Sequence, residues 1–385
     1  MRCRELSVRL PLPEAERPLV YLPGQARGEQ LEALLAKEED WWGGPTLDDE
    51  GFPFDKAETN AAVDLHRLGD VGHFTKDAPL ELAVFDYAHR TTRKKTHIRA
   101  LSPQLSAQAL VCVDPTLYFA CPELIVLQMA ARLSSEALAM IIMELCGSYS
   151  LAPDPDGKEG ATFDIAPVTT INRIKSVAKH VRSRGGTETL RQALRYVLEG
   201  SASPGETTLA QMMSIPAEEG GYGFGRPILN GKLEVPVELQ GCVSGGVYYP
   251  DLFLQDAYVD LEYQSAEFHL DPVAAASLTI AREGLPNADP GLSAWRIAFI
   301  AKGDADLRRM RDLQFLGLHV VPVTNYDLKD IYRLDKVACA VARHLDAAGL
   351  LNWESWHESL EASGYRGSRV RLLRHLRLAL PPSAR

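Results

Sequence analysis

The stretch YYPDLFLQDAYVDLEYQ, residues 248–264, constrains the fold more than any other part of the chain. Its second half alternates with a period of two, the pattern of a strand with one face on a core. Val259, Leu261 and Tyr263 fall on one face, and Tyr258, Asp260, Glu262 and Gln264 on the other. A turn near Gln255–Asp256 predicts a hairpin that brings Asp251, in the preceding strand, opposite residues 258–264. Carboxylates facing each other across a hairpin repel unless a proton or a cation lies between them. Oxygen donors at this density suit Mg2+ or Mn2+. Asp251 and Glu262 are the main donors on this reading. Asp260 shares the face and is the reserve donor.

The rest of the sequence bounds where such a hairpin can sit. With 385 residues there is room for two or three domains. A net charge of −10 excludes a uniformly basic surface but not local basic patches. Six cysteines occur with no CxxC pair and no zinc spacing, as expected of reduced thiols in a cytoplasmic protein. The N-terminus lacks the unbroken apolar run of a signal peptide. The run from Leu124 to Tyr149 is interrupted by Arg132, Glu136 and Glu144, which predicts buried helices rather than a membrane span.

Punctuation along the chain divides it into 1–88, 89–200, 201–350 and 351–385. The first segment carries no legible motif beyond a short helix over LEALLAKEEDWW. The second is mainly helical: Pro122 opens one helix and Ser134 or Ser135 caps the next. TTINRIKSVAKHVRSRGG is a basic helix, and a further helix runs from a Thr187 cap to Gly200. The third is mixed: a capped helix from Ser203, a strand over LNGKLEVPVELQ, the hairpin, a helix over DPVAAASLTIAREG, a strand over AWRIAFIAK, a helix over 304–317, a strand over LHVVPVT and a helix over 328–349. The last holds one helix and an arginine-rich tail. GGYGFG at 220–225 lacks the strand, helix and Lys-Ser/Thr of a phosphate loop and reads as a turn.

Pro250-Asp251 followed by Glu262-Tyr263-Gln264 resembles the signature of the PD-(D/E)XK nuclease superfamily, with Gln where the motif has Lys. The surrounding elements are similar to the branch related to very-short-patch-repair endonucleases. That branch has a helix bearing a Glu, the Asp strand, a Glu strand followed by a His, a D-x-x-R-x-x-x-L-x-x-x-G helix and a strand ending in Val-Thr. Glu206, His269, Asp306, Arg309, Leu313, Gly317 and Val323-Thr324 stand at these places. The resemblance covers about 203–330. It implies an α/β (α+β) fold with a mixed central sheet flanked by helices, restriction-endonuclease-like, beside a mainly helical N-terminal domain.

It also implies that Asp251, Glu262 and the Tyr263 carbonyl hold Mg2+ or Mn2+, with Glu206 a further ligand directly or through water. Glu206 equally fits the N3 place of a capping box begun by Ser203, and the two roles can coexist. His269 would shuttle a proton or hold phosphate, and Arg309 would steady the acids or touch the scissile phosphate. The implied activity is metal-dependent hydrolysis of DNA phosphodiesters. Gln264 can hydrogen-bond a water but brings no charge, so a DNA-binding regulator with a non-cutting nuclease fold is the second expectation.

A DNA partner needs concentrated positive charge, and 89–99, 173–184 and the tail from Gly364, with six arginines and no acid, offer it. Residues 89–200 are loosely similar to AbiEi-type antitoxins, which implies a bacterial defence or toxin–antitoxin setting. A homodimer is compatible with this reading.

Overall fold

The computed structural model describes residues 17–23, 41–47, 49–50, 80–84, 96–102, 104–114, 117–151, 161–181, 186–264 and 290–378. The strands are β1 (Leu19–Val20), β2 (Leu80–Val84), β3 (Thr96–Ala100), β4 (Leu110–Asp114), β5 (Leu117–Ala120), β6 (Tyr149–Ser150), β7 (Thr162–Phe163), β8 (Ile228–Leu229), β9 (Lys232–Glu234), β10 (Val247–Tyr248), β11 (Leu252–Leu254), β12 (Val259–Gln264) and β13 (His319–Thr324). The helices are α1 (Pro122–Ala130), α2 (Ser135–Leu145), α3 (Ile171–His180), α4 (Thr187–Ala193), α5 (Pro204–Ser214), α6 (Pro290–Phe315), α7 (Ile331–Ala347), α8 (Trp353–Glu361) and α9 (Ser363–Leu378). Helices and mixed sheets share the described chain, an α+β architecture.

The central sheet has the order β13-β12-β11-β8. β11 runs antiparallel to β12 with Leu252 opposite Leu261 and Phe253 opposite Asp260. β12 and β13 are parallel, with Glu262 beside Pro322 and Gln264 beside Thr324. The alternation in β12 divides two cores. Val259 and Leu261 join Leu252, Leu254, Val321 and Val323 in a cluster that also takes buried residues of α1, α2, α4, α5, α7 and α9. On the opposite face, Phe253 packs with Leu313 and Leu316 of α6, and with Leu233 and Tyr248 of the three-stranded sheet β1-β9-β10. Phe253, Leu313 and Leu233 are each 0 % exposed. Burial of side chains of this size contributes about 1.5–3 kcal/mol apiece.

Polar caps fix several helix starts. Ser134 caps α2 through its hydroxyl, which accepts from Ala137 N, and Asp330 caps α7 by accepting from Tyr332 N. The run from Leu124 forms the buried helices α1 and α2, and no helix among the described residues is long and apolar enough to cross a membrane.

Several expectations need correction. AWRIAFIAK is not a strand: it lies inside α6, which continues unbroken through Gly303 to Phe315. Its Ala residues favour helix, and a single Gly costs a helix only about 1 kcal/mol. The strand expected over LNGKLEVPVELQ is broken into β8, β9 and a 3-10 turn, Val237–Cys242. Asn230 adopts φ 48, and a Cβ on Gly231 would lie 2.6 Å from Val20 Cγ1, so the chain turns sharply at Asn-Gly.

The helix from Thr187 stops at Ala193, not Gly200, and its N-cap is Gly186. The Arg226 guanidinium takes the carbonyls of Arg195 and Val197, at 2.6 Å each, and holds that segment out of helix. The C-terminal segment holds two helices rather than one, because Leu360 and then Leu372, Leu373 and Leu376 each supply a buried stripe. Arg369, one of the six tail arginines, is 2 % exposed. Its Nε donates to Asp335 Oδ1 at 3.0 Å, and Tyr222 donates to the same oxygen at 2.8 Å, so this arginine pins α9 to α7 rather than facing solvent. The helices expected over 31–40 and 271–284, and residue His269, lie outside the described residues.

Candidate active site

Asp251 directly precedes β11, so the hairpin register that sets Leu252 opposite Leu261 places it opposite Glu262. The Tyr263 backbone N–H donates to Asp251 Oδ2 at 2.8 Å and orients its carboxylate across the pair. Arg309 spans the two acids. Its Nη2 lies 2.8 Å from Glu262 Oε1 and 3.4 Å from Asp251 Oδ1, and it also donates to the Tyr249 carbonyl. On α6, Arg309 is one turn before Leu313, whose burial against the sheet turns this helix face toward the acids. The side chains of Arg309, Asp251 and Glu262 are 34 %, 17 % and 9 % exposed, so the cluster opens to water on the arginine side.

Asp260 lies two residues before Glu262 on the same face of β12, its neighbours across the sheet being Phe253 and Val320. It is 0 % exposed, and neither carboxylate oxygen has a hydrogen-bond donor. Burial first, then the Glu262 carboxyl beside it, push Asp260 well above the usual carboxylate range. A proton on Asp260 relieves the repulsion from the Glu262 carboxyl beside it, and Arg309 opposes that shift. Asp251 is also pushed well up, by burial and then by Glu262 and Glu206, with Arg309 pulling the other way. Burial opposes the charge on Arg309, but Glu262 and Asp251 outweigh it and hold the guanidinium more firmly protonated than usual.

Glu206, at the first turn of α5, takes a cap role. Ser203 Oγ accepts from Glu206 N at 3.1 Å. The Glu206 carboxylate in turn accepts from Ala202 N at 2.9 Å, one residue before the usual reciprocal partner in a capping box. The same oxygen accepts from Asn230 Nδ2 at 2.7 Å. Burial raises the Glu206 carboxyl, and the Glu262 charge adds to it against the pull of these donors.

A Cβ on Gly205 would fall 2.1 Å from the Tyr263 ring, so the present approach of α5 to this ring depends on glycine at 205. That contact sets Glu206 near the strand that carries Glu262. Gln264, at the end of β12 beside Thr324, is half-buried.

Sequence reasoning missed Asn230. Its amide bonds both Glu206 and the Gly200 carbonyl, and its backbone N–H donates to the Asp251 carbonyl at 3.1 Å. The Asn-Gly pair signals a turn, but nothing local says that the turn ties a helix cap to the Asp251 backbone.

Among the described residues, no group of three or more His, Cys, Asp or Glu side chains has the spacing of a metal cluster. Mg2+ commonly takes one or two carboxylates and completes its octahedron with water. The facing pair Asp251 and Glu262 fits that need, with the buried Asp260 carboxyl behind it. The donor set therefore fits a hard divalent cation, with Arg309 in competition for the same oxygens. Comparison with models of protein families, with curated proteins and with solved structures found no match.

Proposed function

We propose that the chain is a Mg2+- or Mn2+-dependent DNA endonuclease with a restriction-endonuclease-like core. The supporting order is helix α5, strands β8, β11 and β12, helix α6, then β13 parallel to β12. The observation that carries the reading is the facing Asp251–Glu262 pair, bridged by Arg309 on its water-exposed side and backed by the buried Asp260.

Asp251, Glu262 and the Tyr263 carbonyl would hold the ion, with Glu206 behind them. A bound divalent cation supplies an activated water and offsets charge on the leaving oxygen. The Tyr263 N–H holds the Asp251 carboxylate in place beside Glu262. Arg309 pairs with both acids and would offer its exposed edge to a phosphate. Gln264 orients a water by hydrogen bonding without stabilising its negative charge.

A second reading has its own support. Gln264 stands where the resembled motif has Lys, and Arg309 already bridges both acids. A DNA-binding regulator that keeps the fold without cutting is consistent with both features, and the bacterial defence setting suits either reading.

The test incubates plasmid and single-stranded DNA with wild type, Asp251→Ala and Glu262→Ala, each in Mg2+, Mn2+ or EDTA. Metal-dependent cutting by wild type alone supports the enzyme. Equal cutting by all three refutes it, and binding without cutting by any of them supports the regulator.

A further inference from the structure

Three exposed tyrosines, each with a cation on its ring, lie around the carboxyl end of the parallel strands. Tyr249, two residues before Asp251, is 38 % exposed, and the Arg17 guanidinium lies 4.6 Å from its ring centre. Tyr326, two residues beyond the end of β13, is 44 % exposed, with Lys329 Nζ at 5.5 Å. Tyr332, in the first turn of α7, is 60 % exposed, with Arg366 at 5.4 Å.

Tyr249 and Tyr326 are tied to the acids by the chain, and Tyr332 follows Tyr326 by six residues. Pro322 lies beside Glu262 in the sheet, and Tyr326 follows four residues later. Chain reach alone keeps Tyr326 within about 20 Å of Glu262, a span of a few nucleotides. Asp327 accepts from the Thr324 N–H and hydroxyl and Asp330 caps α7, while Glu361 pairs with Arg366 at 3.4 Å, a partner that a phosphate there would displace. Scattered exposed apolar residues are ordinary on a protein surface. Three tyrosine–cation pairs at one end of one sheet are a pattern with a chemical meaning: a ring stacks on a base while the cation meets the phosphate beside it. Stacked base pairs in a duplex do not offer their faces to such rings, whereas an unpaired strand does.

We propose that this edge binds single-stranded DNA, with bases stacked on Tyr249, Tyr326 and Tyr332 and phosphates on Arg17, Lys329 and Arg366. The strand then reaches the carboxylates unpaired. The inference rests on the nuclease-fold reading for the place of the site, but binding is measured without cutting.

The experiment titrates the full chain, in EDTA, into a labelled oligonucleotide of about 20 nucleotides and into its duplex, reading fluorescence anisotropy. Wild type is expected to bind the single strand about tenfold or more tighter than the duplex. The variant Tyr326→Leu/Tyr332→Leu should lose about tenfold or more on the single strand while its salt dependence is kept. Lys329→Gln should flatten the salt dependence instead. Thermal melts check that the variants fold; if the double variant does not, the single variants Tyr326→Leu and Tyr332→Leu carry the comparison.

Equal or tighter duplex binding, no binding, or tyrosine variants indistinguishable from wild type would each overturn the proposal. Failure of metal-dependent cleavage with intact tyrosine-dependent binding would overturn the nuclease instead and leave this surface standing.

Discussion

Replacing Arg309 with Gln removes the cation that spans Asp251 and Glu262 while keeping a polar side chain of similar reach. Loss of one partner from a fully buried ion pair costs about 3–5 kcal/mol, and loss from an exposed pair at most about 1 kcal/mol. Arg309 is one-third exposed and its partners are nearly buried, so the cost falls between, at about 2–3 kcal/mol near neutral pH without metal.

The sign with pH follows from the acids. Asp251 and Asp260 are raised in the folded protein, so their favourable contribution is fully present below the unfolded carboxylate range near 4 and fades as pH rises through their raised values. Without Arg309 those values rise further and the loss with pH steepens. The deficit of Arg309→Gln should therefore be small near pH 4 and grow toward pH 8. Urea denaturation of both proteins in EDTA across that range measures it.

Added Mg2+ should then recover more stability in the variant than in wild type, because the arginine no longer competes for the acids. An ion at about a hundred times its Kd stabilises by about 2.7 kcal/mol. A deficit that is flat with pH, or below about 0.5 kcal/mol at neutral pH, would refute the account of the acid cluster.

Four further outcomes follow. Asp260→Asn removes a buried carboxyl whose ionisation opposes folding, so its stability relative to wild type in the metal-free protein should rise from pH 4 toward pH 8 in the same urea assay. Asn230→Ala deletes a donor to the buried Glu206 and should cost about 1–3 kcal/mol by thermal melt. Gly205→Ala should weaken Mn2+ binding by forcing α5 off the Tyr263 ring, and Gly205→Ala/Tyr263→Leu should recover part of it; calorimetric titration with Mn2+ decides. Arg369→Met leaves Asp335 buried beside Tyr222 without its cation and should cost about 3–5 kcal/mol in denaturation, with no change in Mn2+ affinity.

The sheet hairpin was legible because its information is local. A period-two pattern and a turn fix which residues of 259–264 share a face, and the observed register agrees. The caps at Ser134 and Ser203 were legible for the same reason, since each hydroxyl satisfies an N–H three residues away, whereas Thr187 was misjudged because Gly186 takes the cap place.

What stayed hidden depends on residues far apart in the chain. The tie from Asn230 to Glu206, and that of Arg369 to Asp335, follow from packing rather than from any motif. The length of α6 was misjudged because AWRIAFIAK is apolar enough for a strand. Only the continuous backbone through Gly303 decides for helix. Arg309 was placed near the acids by resemblance, but its hold on both of them is a matter of geometry.

The most direct measurement is calorimetric titration of the metal-free chain with Mn2+, in wild type and in Glu262→Gln. Wild type should bind one Mn2+, displaced by excess Mg2+, and the variant should lose this binding or bind far more weakly. Absence of binding by wild type, or equal binding by both, would contradict it.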